Sequence, residues 1–394
     1  MRNQSQKIRK AFLLLHRWLG LTTGLVVFIV ALTGCLYVFE EEWRELFHHK
    51  YLHVADTSGQ RKTLTELTAA VKNAYPQEAI TQVRFLEEKD AAFVFLTKNE
   101  LAISVNPYTG EITGQRNMKK DFMNVVLDIH LDLLLGEAGK QIVRWNVLIF
   151  FVICITGLVL WWPKQKCFFK QAVSIKWRAK SWKRVNWDLH SVLGFYALAV
   201  LLIISLTGIF WVFDTAKNMV SLATGSPVWQ APKLKSTPAF LRKADPLDHA
   251  YAAAKFSHPG ARQVLITVPK DSVEPIRILF RYPYTIIRKQ TTLWFDQYSL
   301  ANMRTDAYQN YTRYEKVSRS IYDFHTGRIR ALGIGSKIIY FLASLFAASL
   351  PVTGFLIWWG RNKNKKQLLK KPVAVKEPGS PQLAHPHKKT WQFI

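Results

Sequence analysis

The segment His16–Cys35, HRWLGLTTGLVVFIVALTGC, admits two incompatible readings. Leu32-Thr33-Gly34-Cys35 has the form of a lipobox, at which a signal segment is cut and the new N-terminal cysteine is lipidated. On that reading everything up to Gly34 is discarded and Cys35 is a lipid anchor. On the other, the segment is a retained helix, long enough to cross a hydrocarbon core that takes about 20 helical residues.

An internal repeat favours the retained helix. His16-x3-Gly20 is followed by Gly34, in ALTG, 18 residues after the histidine. His190-x3-Gly194 is followed at the same interval by Gly208, in SLTG, with Ile209 where the first copy has Cys35. A second pair of segments also matches. Asp128-Ile129-His130 precedes glycines 136 and 139 and then ITGLVLWW, residues 155–162; Asp323-Phe324-His325 precedes glycines 333 and 335 and then VTGFLIWW, residues 352–359. Thr-Gly occurs in all four apolar runs, where small residues let neighbouring backbones approach. The apolar run before Cys35 is also longer than the 7–15 residues of a signal h-region.

The expected fold class is therefore an α-helical membrane protein. It is a bundle of four transmembrane helices made of two repeated units, with two extracytoplasmic α/β modules. The spans are expected at about 11–39, 141–162, 189–213 and 334–359. Basic residues orient them. Arg2, Lys7, Arg9 and Lys10 precede the first span, Lys164 to Arg184 crowd the 163–188 loop, and Arg361 to Lys389 crowd the 360–394 tail, which reads as polar and disordered from about Lys363. The positive-inside rule puts all three segments in the cytoplasm, and with them both termini of a multi-pass bacterial inner-membrane protein. Segments 40–140 and 214–333 are then extracytoplasmic.

This topology accounts for most of the formal charge of +27 on 394 residues, so nucleic acid is not expected as a partner. Each outer segment reads as a helix followed by strands. In the first these are TLTELTAAVKNAY (63–75), then TQVRFL, AAFVFLT and LAISVNP; in the second, PLDHAYAAAKF (246–256), then RQVLITV, PIRILFRY and TTLWFDQYS. The three cysteines form no CxxC or CxxCH, which argues against c-type haem, iron–sulfur clusters and a disulfide scaffold.

Histidine in a span is costly and points to function. His16 and His190 fall at the cytoplasmic start of their helices, and His130 and His325 at the outer start of theirs. Copies separated by an even number of spans share one orientation, so their axis runs along the membrane normal and equivalent residues face each other across it. Two facing imidazoles suit the axial positions of a b-type haem, one near each surface. Gly20 and Gly194 would let a macrocycle lie against the backbone, and Arg17 would pair with propionates. Asp128 and Asp323 are candidates to orient the imidazoles. The competing reading is interfacial histidines bonded to backbone or headgroups. Zinc or copper is less supported, since no third ligand keeps step with the repeat. His48, His49 and His53 have no counterparts in the second copy and read mainly as surface residues, with metal or haem contact as the alternative.

The pattern HRWLGL…ALTG followed by DIH…G…TGLVLWWP, over about residues 8–362, resembles the PepSY-associated transmembrane family. The resemblance implies PepSY-like outer modules, two haems and iron-linked function of the ferric-siderophore-reductase kind. The leading expectation is thus a membrane oxidoreductase passing electrons to a ferric siderophore or other ferric chelate at the outer face, with arginines 277, 281 and 288 and Lys289 as chelate contacts. No GxGxxG or P-loop is present, so a quinol or a cytoplasmic reductase would be the electron donor. The alternative is a non-redox PepSY-type accessory protein assisting a transporter or peptidase.

Overall fold

The computed structural model describes residues 2–163, 165–238 and 244–369. The chain begins in α1 (Arg2–Tyr37) and, after a short break, enters α2 (Glu40–Leu52) and α3 (Leu64–Ala74). Strands β1 (Ile80–Leu86), β2 (Phe93–Thr97), β3 (Leu101–Val105) and β4 (Ile112–Asn117) lead to α4 (Phe122–Asp132) and α5 (Gly136–Trp161). One-turn α6 (Phe169–Ala172), α7 (Trp182–Val212), α8 (Asp214–Thr224) and α9 (Pro246–Ser257) follow. Strands β5 (Gln263–Thr267), β6 (Ile276–Arg281), β7 (Gln290–Phe295) and β8 (Asn302–Asp306) then lead to α10 (Arg313–Thr326) and α11 (Ile334–Leu369).

Helices α1, α5, α7 and α11 carry stretches long and apolar enough to cross a membrane, at Gln6–Tyr37, Gly136–Trp161, Trp182–Val212 and Ile334–Arg361. Three of these begin several residues before the sequence expectation, because Gln6–Lys10, Gly136–Lys140 and Trp182–Asp188 continue the helices although they are too polar to read as span. α11 likewise runs past Lys363, where a polar tail was expected to begin; residues 370–394 lie outside those described. Cys35 sits inside unbroken α1, buried, with its thiol 3.6 Å from the Phe341 carbonyl.

The four helices form a ring. α1 and α7 each pack on both α5 and α11, so α1 faces α7 across a diagonal. Cys154, Ala197, Leu201, Ala343 and Ala347 are buried between them, while Leu25, Ile155, Leu206 and Leu345 point outward and are exposed. An apolar exterior on a bundle with a small-residue interior is the pattern of a protein dissolved in lipid.

At the end of the bundle beyond Tyr37 and Gly136, the two segments expected to form α/β modules come together. All eight strands join in one antiparallel sheet, ordered β4-β3-β2-β1-β5-β6-β7-β8. The seam is β1 on β5, with Val83 opposite Ile266 and Phe85 opposite Val264. One apolar core runs across that seam beneath α3 and α9, and includes Leu67, Val83, Phe95, Ala254, Ile266 and Ile278. The Asp248 carboxylate of α9 accepts the Leu64 and Thr65 amides at 2.6 and 2.9 Å, so one half caps the first helix of the other. Each half alone would leave an apolar strand edge open, and joining the edges removes both. The outer strands β4 and β8 were not foreseen, because ITGQRN and NMRTD lack apolar alternation; as solvent-facing edges they need none.

Candidate functional site

Four imidazoles come together as two pairs. His16 on α1 and His190 on α7 face each other across the bundle diagonal, with ring centroids 6.3 Å apart and planes at 87°. His130 on α4 and His325 on α10 repeat the arrangement at the sheet end, at 6.3 Å and 78°.

Each ring is anchored through Nδ1. The His16 nitrogen lies 3.0 Å from the Thr156 hydroxyl and 3.2 Å from the Ile153 carbonyl. For His130 the partners are Thr33 at 3.1 Å and the Val30 carbonyl at 2.9 Å. His190 meets Thr353 at 2.9 Å and the Leu350 carbonyl, and His325 meets Thr207 at 2.9 Å and the Ile204 carbonyl. Every carbonyl belongs to the residue three before the threonine. A carbonyl only accepts, so each Nδ1 carries the proton and donates it. The threonine hydroxyls point their own protons back along their helices, as Thr33 does to Ile29 at 2.8 Å and Thr353 to Ser349 at 3.1 Å. Nε2 is left as the nitrogen with a lone pair, the form a metal takes.

The glycine after each threonine completes the cradle. A Cβ at Gly157 would stand 3.3 Å from Cε1 of His16, and at Gly354 3.2 Å from that of His190. At Gly34 it would stand 3.2 Å from Cε1 of His130, and at Gly208 3.5 Å from that of His325. The recurring Thr-Gly is therefore a histidine seat as well as a helix-packing device. Its presence in all four runs was the available signal, and general small-residue packing obscured the specific role.

The pairs suit axial ligation. Two metal–nitrogen bonds of about 2 Å, with roughly 1.1 Å from each ring centre to its nitrogen, put axial imidazole centroids about 6 Å apart. Among the described residues no third His, Cys, Asp or Glu joins either pair, so a metal there would take its remaining ligands from outside these side chains, as from a macrocycle. Beside His16 and His190 lies a cavity of about 610 Å³, reaching Gly20, Gly24 and Gly194 and rimmed by Arg9, Arg17 and Arg361. A Cβ at Gly20 would meet nothing within 4 Å, and the buried Arg17 Nε has no hydrogen-bond partner. At the sheet end Trp211 lies 4.8 Å from His325, and the buried Arg144 Nε lacks a partner. Burial holds His130 below the ordinary imidazole range and pushes His325 down to about 3, so both are neutral bases at pH 7.

The aspartates expected to orient the imidazoles are placed elsewhere. Asp128 is exposed, and the Nδ1 it was expected to hold belongs to Thr33 and Val30. Asp323 is buried but binds Arg288 at 2.8 Å and the Tyr284 hydroxyl at 3.0 Å. Two residues along a helix is about 200° around its axis, so an aspartate there points away from its histidine. Arg288 is consequently tied up, and Arg281 donates to Gln263 at 2.9 Å, whereas Arg277 and Lys289 are exposed. His48 turns from its neighbours to meet Asp121 at 2.6 Å.

The profile of one family, the PepSY-associated TM region, matches residues 13–361. The match spans most of the chain, which therefore belongs to that family. No curated protein matches the sequence.

Proposed function

We propose that this member of the PepSY-associated TM family is a di-haem electron-transfer protein that reduces ferric chelates of the siderophore class on the sheet side of a bacterial inner membrane. The observation that carries the reading is the two facing histidine pairs, each with Nδ1 donated and Nε2 free. Their matching seats support a chain built from two copies of one unit about an axis along the membrane normal. The copies carry PepSY-like halves joined in one sheet.

The seat of His130 at Gly34 lies 18 residues along α1 from His16, about 27 Å of helix. That is close to the thickness of a hydrocarbon core, roughly 30 Å, so a relay across it needs a site at each end. Bound haem would supply one-electron exchange at each pair, its potential set by the two axial imidazoles and their hydrogen bonds. The chain's own part is positional. The threonines and carbonyls fix the tautomer and ring angle, and Gly20 and Gly194 keep the cavity walls clear. Arg17, Arg9 and Arg361 line the cavity and would supply positive charge to the carboxylates of a bound macrocycle. The basic segments at the inner end support a cytoplasmic location for both termini and a quinol or an acidic cytoplasmic reductase as donor. On the sheet side, exposed Arg277 and Lys289 favour an anionic chelate. One electron taken up by chelated Fe(III) gives Fe(II), which hard oxygen donors hold more weakly, so the iron is released.

The test is the absorption spectrum of the detergent-purified protein, expressed with adequate haem and assayed for haem per chain. About two haems are expected; no Soret band would sink the redox reading and favour the non-redox accessory role. Gly20→Leu sharpens the test, because Gly20 lines the cavity and a Cβ there meets no protein atom within 4 Å. Haem content should fall from about two to about one per chain, while the unfolding temperature of haem-free protein stays unchanged.

A further inference from the structure

The face of α2 that His48 leaves carries Glu45, His49 and His53, spaced four residues apart and so stacked on consecutive turns. His49 Nδ1 lies 2.6 Å from Glu45 Oε1, and His53 Nε2 lies 3.1 Å from the same oxygen. One ligand atom from each residue falls within 4.8 Å of the others. The two imidazoles stack with centroids 4.5 Å apart. Neighbouring ligand atoms about 3 Å apart are what adjacent positions around an ion with bonds of about 2.1 Å require.

The third ligand is not loose. His53 ends α2 and forms an antiparallel bridge with Ala91, flanked by the bonds Ala92 N–H to Leu52 O at 2.9 Å and Val54 N–H to Asp90 O at 2.8 Å. Its Nδ1 meets the Asp90 carboxylate at 2.9 Å, which leaves Nε2 toward Glu45. A carboxylate holding the far nitrogen of a ligating imidazole is the outer support most metal-bound histidines have. Glu45 and Asp90 together carry the two negative charges that balance a divalent ion.

We propose that Glu45, His49 and His53 form a binding site for one divalent first-row transition ion such as Zn(II) or Fe(II), with Asp90 as the positioning residue. Two imidazoles and one carboxylate on one side of the ion leave its other positions open to solvent, which suits a site that exchanges its metal. Imidazole donors exclude Ca(II) and Mg(II), which prefer oxygen. The site is separate from both buried histidine pairs and stands whether or not those hold haem.

The experiment is isothermal titration of Zn(II) into the full-length, detergent-solubilised, chelator-treated protein, with and without excess Ca(II). One zinc per chain is expected, unaffected by Ca(II) and lost in the His49→Ala/His53→Ala double variant. Asp90→Asn should weaken binding about tenfold to a hundredfold, the usual effect of removing an outer-shell carboxylate. His249→Ala, an exposed histidine elsewhere, should leave it unchanged. Because His49 is exposed and His53 is held through backbone bonds that alanine keeps, the double variant is expected to fold, and its circular dichroism checks that. Equal zinc binding by the double variant, or displacement by Ca(II), would overturn the site.

Discussion

Replacing His16 by alanine is expected to remove about half of the Soret absorbance of the purified protein, and replacing His325 to remove the other half, the two effects adding in the double variant. The independence follows from geometry. Each pair takes one ring from each half of the chain, so one substitution leaves a single imidazole, which cannot hold an iron from both sides. His16 and the Gly34 seat of His130 are about 27 Å apart along α1, too far for a lost side chain to disturb the other pair. Loss of the whole band in either single variant, or of none, would break the pairing of His16 with His190 and of His130 with His325. On the proposed di-haem reading, either variant should also abolish electron transfer to a ferric chelate, because each removes one of the two sites that reading requires.

The second large effect is expected at Gly139. A Cβ there would lie 1.6 Å from the Asp132 carbonyl oxygen, a covalent distance, and the opposing atom is backbone. Gly139→Ala must therefore drive the end of α4 away from α5. Asp132 is two residues from His130, so the displacement reaches the sheet-end pair directly. The expected cost is about 3 kcal/mol or more, read as a lowered unfolding temperature, with loss of the haem fraction that depends on His325. The fraction that depends on His16 should survive. Gly335 is the control: it follows His325 much as Gly139 follows His130, yet a Cβ there meets nothing within 4 Å. Gly335→Ala should be neutral or slightly stabilising, because alanine favours a helix over glycine by about 1 kcal/mol. Equal effects at the two positions would refute the close contact.

Much of the architecture was legible because the bilayer imposes strong rules on sequence. Apolar runs of more than about 20 residues, basic clusters at one end and a shared His–Gly interval marked four helices and two histidine sets. The strands with alternating apolar residues, such as TQVRFL and PIRILFRY, were visible for the same kind of reason, and the polar edges ITGQRN and NMRTD were not. The seam between β1 and β5 was hidden because strand patterning records which residues face a core and not which edge meets which.

The histidine partners were hidden for a different reason. Asp128 and Asp323 looked suitable because they are near in sequence and can accept a proton, yet the hydrogen bonds go to Thr33 and Thr207, 97 and 118 residues away. Glu45 and Asp90 are likewise joined through His53 only because the chain folds back between them. By itself the sequence determined four helices long and apolar enough to cross a membrane, and four histidines recurring at matching intervals, since helical periodicity and the cost of polar groups in lipid are properties of local composition. Only the tertiary structure decided that the two outer halves share one sheet, that each Thr-Gly seats a ring, and that Glu45, His49 and His53 stand apart from His48. Those outcomes depend on which surfaces meet, and contact between distant segments is set by packing rather than by spacing along the chain.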